Sequence, residues 1–309
     1  MTDIPTDVPA DITTGRVDCG DVELAYRAAG DPAAPLVLCL HGFPDTPHHF
    51  DALLPALADA GFHAVAPWMR GFAPSGLPRD DCYEIFSLTA DAVALTEHFA
   101  DGRPAVIVGH DWGAAATYGA CASRPELFRD AIAMSLPHPL TFATSLLSSF
   151  AQQRASFYVW LFQLRGIAEG IVGANDLAFI DDLVGVWSPG WERPEPLRAA
   201  VRAALGTPAN LTSALTYYRA SFDPSVQRTD DAAVAARAAC TAPVGVPTLF
   251  VHGRDDGCAL VDAMPPQDVL FPAGLETVLI DGAGHFPLCE RPDEVLPLLL
   301  ARIGPPDAV

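Results

Sequence analysis

Apolar runs of strand length alternate with stretches of helical period along the first part of the chain. Val22–Arg27 reads as an early strand and Leu36–Leu40 as a second, ending at His41-Gly42. Phe50–Asp59 has helical spacing, and Ala64–Ala66 is a short strand stopped by Pro67. Ser87–Phe99 offers Leu88, Val93, Leu95 and Phe99 to one helical face. Ala105–Val108 is again a strand, Gly113–Ala122 a helix of small residues, and Ala131–Ser135 a further strand. Strands separated by helical segments predict a parallel sheet covered on both faces.

The rhythm breaks near His138. From there to Ala239 the chain is helical in pattern, rich in aromatics and without an obvious strand. The α/β alternation then resumes with strands at Val246–Val251 and Glu276–Ile280 and a closing helix at Asp293–Ile303. This predicts a core made of residues 1–137 and 240–309, with 138–239 inserted as a helical lid. Such a lid belongs over the carboxyl ends of the strands, where open α/β sheets bind ligands. The amino-terminal arm, through about Thr14, is the one segment expected to be loose.

Composition narrows the partners. Half of the 309 residues are hydrophobic and 18% are charged, as in ordinary globular proteins. No apolar run reaches membrane-spanning length, and the acidic start "MTDIPTDVPAD" lacks the pattern of a signal peptide, so a cytoplasmic protein is expected. A net charge of −20 argues against nucleic acid and anionic membrane as partners. All basic residues are arginine, which excludes lysine Schiff-base chemistry. The seven scattered cysteines form no C-x-x-C pair and read as free thiols. No metal and no cofactor is expected, and the assembly is a monomer or a homodimer.

The candidate chemistry starts at "GHDWGAA", where small residues bracket Asp111 between a strand and a helix. That is the layout of a nucleophile elbow, a sharp turn that exposes one side chain, here with aspartate in place of serine. Asp111 could instead simply cap the helix. Three other segments at strand ends weigh against that reading: "HGFP" after "PLVLCL", "GRDDG" after "PTLFVHG", and "DGAGHFPL" after "ETVLI". They supply an oxyanion-loop candidate, an acid and His285, in the chain order that α/β-hydrolases use.

With "HGFP", "GHDWGA", "GRDDG" and "GAGH", and with "FYVWLFQ" and "TYYRASF" inside the helical insertion, the chain resembles the epoxide hydrolases of the α/β-hydrolase fold from about Val22 onward. The resemblance implies that fold, with a mostly parallel sheet, helices on both faces and an inserted lid. It implies Asp111 as nucleophile, His285 as base and Asp256 as its acid, chosen over Asp255 by the G-x-x-D spacing. It also implies Tyr158 and Tyr218, rather than Tyr217, as proton donors, and the backbone N–H groups of Phe43 and Trp112 as the oxyanion hole. Phe43, Trp112, Trp160 and Phe162 are expected in the substrate pocket, and the aromatics Phe150 and Trp187 add to a bulky apolar lid. His41 and His110 are expected to orient loops, and Asp45, His48 and His49 to start a helix without further role. Where the family often carries aspartate, "APWMRGFAPS" has Trp68, which bears on packing near Arg70.

The chemistry follows without the family. A serine that opened an epoxide would be left as an ether, whereas a carboxylate forms an ester that water can cleave. An aspartate, with an ordinary pKa of about 3.9, is ionised at neutral pH and needs no base for attack. His285 held by Asp256 could then activate water. The implied substrate is a small, neutral, apolar epoxide. A haloalkane dehalogenase would use the same nucleophile but typically an asparagine where Phe43 stands. A haloacetate dehalogenase would place arginine after the nucleophile, where this chain has Trp112. A non-catalytic ligand-binding protein on the same fold is the third alternative.

Overall fold

Side chains alternate across a strand, so a strand apolar at every position has to be covered on both faces. The computed structural model, which describes residues 12–306, has eight strands: β1 (Thr13–Asp18), β2 (Glu23–Ala29), β3 (Leu36–Leu40), β4 (His63–Pro67), β5 (Ala105–His110), β6 (Phe128–Met134), β7 (Thr248–Gly253) and β8 (Leu275–Ile280). In β3, Leu36, Leu38 and Leu40 join one core while Val37 and Cys39 join the other. β5 and β6 repeat this, with Ile107 and Ala133 on the first face and Val108 and Ile132 on the second.

The sheet order is β1-β2-β4-β3-β5-β6-β7-β8. β1 and β2 are antiparallel to each other, β2 is antiparallel to β4, and every later pairing is parallel. Helix α1 (Leu53–Asp59) packs Leu53, Leu54 and Leu57 onto the second face. α2 (Ile85–Phe99) and α3 (Trp112–Ser123) cover the first with Leu88, Leu95, Ala116 and Tyr118.

Between β6 and β7 the chain forms eight helices: α4 (Pro139–Ser148), α5 (Phe150–Ala155), α6 (Phe157–Leu161), α7 (Ile167–Val172), α8 (Ala178–Trp187), α9 (Glu195–Leu205), α10 (Pro208–Phe222) and α11 (Asp231–Cys240). After β8 come the single turn α12 (Pro287–Glu290) and then α13 (Pro292–Ile303), which seats Val295, Leu299 and Ile303 on the second face. No helix among the described residues is long and apolar enough to cross a membrane.

The expected loose arm needs correcting at its end. Thr13 and Thr14 belong to β1, paired with Ala28 and Arg27, while residues 1–11 lie outside the described part. This edge strand buries only Val17, so it carries almost none of the apolar signal that marks the inner strands. The parallel strands turn their carboxyl ends to one edge of the sheet, and the loops that follow β3, β5, β7 and β8 meet there.

Candidate active site

The turn from β5 into α3 is made by a single residue. Asp111 has φ 53° and ψ −117°, a conformation costing about 1–3 kcal/mol in a residue with a side chain. Its neighbours make room for it. A Cβ on Gly113 would run into the Leu40 carbonyl, and one on Gly42 into the Asp111 side chain and the His110 carbonyl. The carboxylate makes no capping bond to α3. Its Oδ1 instead accepts the Phe43 N–H at 2.8 Å, bringing the loop after β3 against the elbow. Trp112 opens α3, where a helix leaves its first N–H groups without intrahelical partners and presents the positive end of its dipole.

His285 faces Asp111 from the loop after β8. Its Nδ1 lies 2.8 Å from Asp256 Oδ2, and its Nε2 lies 3.7 Å from Asp111 Oδ2 with no hydrogen-bond partner. Asp256 Oδ1 accepts the N–H groups of Cys258 (2.6 Å) and Ala259 (3.1 Å), so this carboxylate is fully engaged. The adjacent Asp255 is exposed and does not reach the histidine. Burial alone would push the imidazole down. Asp256, then Cys258 and Asp111, outweigh it and hold His285 well above its ordinary pKa.

The loop carrying His285 is clamped from several directions. Glu290 accepts the N–H groups of Gly284 (2.7 Å) and Phe286 (2.8 Å), the residues flanking the histidine. Ser188, just after α8, donates to the same carboxylate at 2.7 Å and accepts the His285 N–H at 2.9 Å. The Trp187 carbonyl accepts N–H groups from both His285 and Gly257. His110 Nε2 lies 2.8 Å from the His285 carbonyl.

A cavity of about 250 Å³ opens above Asp111, lined by Trp112, Tyr158, Tyr218 and Cys258 among largely apolar neighbours. The Tyr158 and Tyr218 rings meet edge to face at 5.6 Å, and Tyr218 packs against Trp112 at 5.1 Å. Burial pushes both phenols well above their ordinary pKa, with Asp111 adding to it, so both stay protonated. Tyr217 points elsewhere, donating its hydroxyl to the Arg70 carbonyl at 2.8 Å. Arg70 is itself buried in a bidentate pair with Asp91, both contacts 2.7 Å, and Trp68 is accommodated beside His48.

Not every expected pocket residue reaches the cavity. Trp160 is 45% exposed and packs on Phe222, because successive residues of the short helix α6 cannot all face inward. Phe162 is buried behind the tyrosines, 5.1 Å from Tyr218 and 5.6 Å from Phe43, supporting the wall without forming it. Phe43 likewise sits behind Tyr218 at 5.4 Å, with its N–H rather than its ring turned to Asp111. Phe150 is 78% exposed, and Trp187 packs 5.0 Å from the His285 ring.

Two groups escaped the sequence. Asp45 and His49, taken as helix-start residues, form a buried pair at 2.7 Å, and His49 stacks on His110 at 4.3 Å. Burial would raise Asp45, but His49 and Arg193 hold it below the usual carboxylate range. Against burial, Cys289 and Asp45 hold His49 up at about 10. The i, i+4 spacing of Asp45 and His49 was the available signal. Glu290 and Cys258 had none beyond closeness to His285 and Asp256.

Several known proteins share this arrangement of chain. A family model described as alpha/beta hydrolase fold matches residues 35–292. Epoxide hydrolase A of Mycobacterium tuberculosis is 30% identical across 93% of this chain and 96% of its own. The crystal structure of Epoxide Hydrolase A from Mycobacterium thermoresistibile aligns with a TM-score of 0.77 at 26% identity, covering 93% of this chain and 97% of that one. The Bacillus megaterium epoxide hydrolase, solved with an inhibitor, aligns at 0.76 and 25% identity over 92% and 98% of the two chains.

Proposed function

The chain belongs to the epoxide hydrolases of the α/β-hydrolase fold, and we propose that it converts a neutral, apolar epoxide to a vicinal diol through an ester on Asp111. In this reading residues 138–239 are a lid closing the cavity over a core of 1–137 and 240–309. One observation carries it: a carboxylate occupies the elbow, one oxygen tied to an N–H and the other facing the base, across a cavity from two protonated tyrosines.

With Oδ1 bound by Phe43, Oδ2 is the oxygen free to attack an epoxide carbon from behind. The C–O bond breaks toward Tyr158 and Tyr218, one of which protonates the leaving oxygen. The His285 imidazolium restores the tyrosine's proton and becomes neutral. Ester formation has meanwhile removed the Asp111 charge that helped hold that proton, so His285 is left ready to act as base. It takes a proton from water as the water attacks Cγ. Negative charge then grows on Oδ1, which the Phe43 N–H already holds at 2.8 Å and the Trp112 N–H can join. One such donor contributes about 3–4 kcal/mol at this step. The alkoxide leaves with the proton from His285, and the regenerated Asp111 acid returns one to it, so a turnover consumes one epoxide and one water.

A single turnover in oxygen-18 water tests the scheme. The label is expected in the Asp111 carboxylate and absent from the first diol; label appearing directly in that diol overturns it. A haloalkane needs no proton donor on its leaving group, so halide release from haloalkanes faster than diol formation from styrene oxide would favour a dehalogenase instead.

A further inference from the structure

Tyr158 has a polar contact that Tyr218 does not share. The Tyr158 hydroxyl lies 3.2 Å from the Cys258 thiol, a hydrogen bond in which either group can donate. Cys258 is buried, lines the cavity, and is fixed by its own backbone. Its N–H donates to Asp256 Oδ1 at 2.6 Å, and its carbonyl accepts Gln152 Nε2 at 2.7 Å. Gln152, on α5, also accepts the Leu260 N–H at 2.9 Å, which ties the inserted helices to the Asp256 loop on both sides of the thiol. Burial raises the thiol's pKa, so the group is a neutral S–H with a proton to donate.

We propose that Cys258 is a positioning residue of ring opening, its S–H donating to the Tyr158 oxygen while Tyr158 turns its own proton to the epoxide oxygen. A phenol has one proton to give and can still accept a hydrogen bond. As that proton moves toward the breaking C–O bond, negative charge grows on the phenol oxygen. A donor already against this oxygen therefore binds more strongly in the transition state than before it. The second step does not use Tyr158 in this way, so the effect the thiol exerts through Tyr158 belongs to the first alone, although Cys258 also lies beside His285.

The inference rests on Tyr158 acting as a donor, and a cycle of variants followed by rapid-quench single turnovers separates the two claims. Cys258→Ala is expected to slow ester formation about fivefold, the size of one ordinary hydrogen bond, and to leave ester hydrolysis unchanged. Cys258→Ser, which keeps a donor, restores ester formation to within about twofold. In a Tyr158→Phe background, Cys258→Ala has no further effect. Equal slowing in both backgrounds, or slowing of both steps, overturns the proposal and assigns Cys258 to the Asp256 loop. If Tyr158→Phe slows ester formation and Cys258→Ala does not, only the role of the thiol falls. If Tyr158→Phe leaves ester formation unchanged, Tyr158 is no donor and both claims fall together.

Discussion

Asp111 and His285 face each other across 3.7 Å, yet they are held in place by opposite means. Asp111 is set at the turn itself: a strand, one strained residue, and a helix of small residues packed so closely on the end of β3 that Gly113 tolerates no side chain. From elsewhere it takes one segment, the end of β3 and the loop after it, through Leu40, Gly42 and Phe43. The histidine is set from a distance. Asp256 lies in the loop after the preceding strand, Trp187 and Ser188 come from the inserted helices, and Glu290 reaches back from α12. Damage on the first side should therefore strike the elbow itself, and damage on the second should loosen the base and leave the nucleophile in place.

The strongest test of this contrast removes each group. Asp111→Ala should lower diol formation by about 10⁴-fold or more, because in the proposed scheme the carboxylate is the nucleophile and nothing beside it can replace it. His285→Gln should instead allow one ester per enzyme to form and then stop. Intact mass spectrometry would show the chain heavier by one epoxide, and steady turnover without that species would break the assignment of His285 to the second step.

Smaller changes probe how each side is held. Gly113→Ala should destabilise the fold by more than about 3 kcal/mol, read from denaturant unfolding, because the added carbon meets the Leu40 carbonyl. Glu290→Gln keeps the volume but loses the charge on which Gly284, Phe286 and Ser188 converge. It should slow ester hydrolysis about tenfold and spare ester formation, and equal loss in both steps would erase the distinction between the two sides.

The last two tests are in pH. In the ester Asp111 no longer adds its charge but Asp256 remains beside His285, so raising pH through the histidine's value there makes it neutral and speeds hydrolysis, whereas ester formation should not rise with it. The sign for stability is the reverse. A histidine raised on folding stabilises below its unfolded pKa and loses that contribution as pH climbs through the folded value. For His49, held at about 10, thermal stability should decline between about pH 7 and 10. Asp45→Asn should flatten that slope, since the buried pair at 2.7 Å is then broken.

What was legible followed the same divide. The inner strands were visible because each contains an unbroken apolar run, while β1, with one buried side chain, was not. "GHDWGAA" carried its geometry in its own letters, since small residues and a strained turn are local requirements. The order of the strand-end motifs located Asp256 and His285, and the contacts between them bear on the choice against Asp255. Trp160 and Phe162 were misplaced because an aromatic run shows that a helix is buried somewhere but not which residue faces a cavity. Asp45–His49 left only its i, i+4 spacing, and Glu290 and the Cys258–Tyr158 contact left no comparable mark.

By itself, the amino-acid sequence determined the alternation of strand and helix, the helical insertion after β6 and the carboxylate at the elbow, because each shows in the pattern of residues a few positions apart. Only the tertiary structure decided which side chains stand around Asp111 and what holds them. Pairs such as Cys258 with Tyr158 and Ser188 with His285 lie far apart in the chain. They meet through the packing of whole helices on a sheet, and no local spacing encodes that.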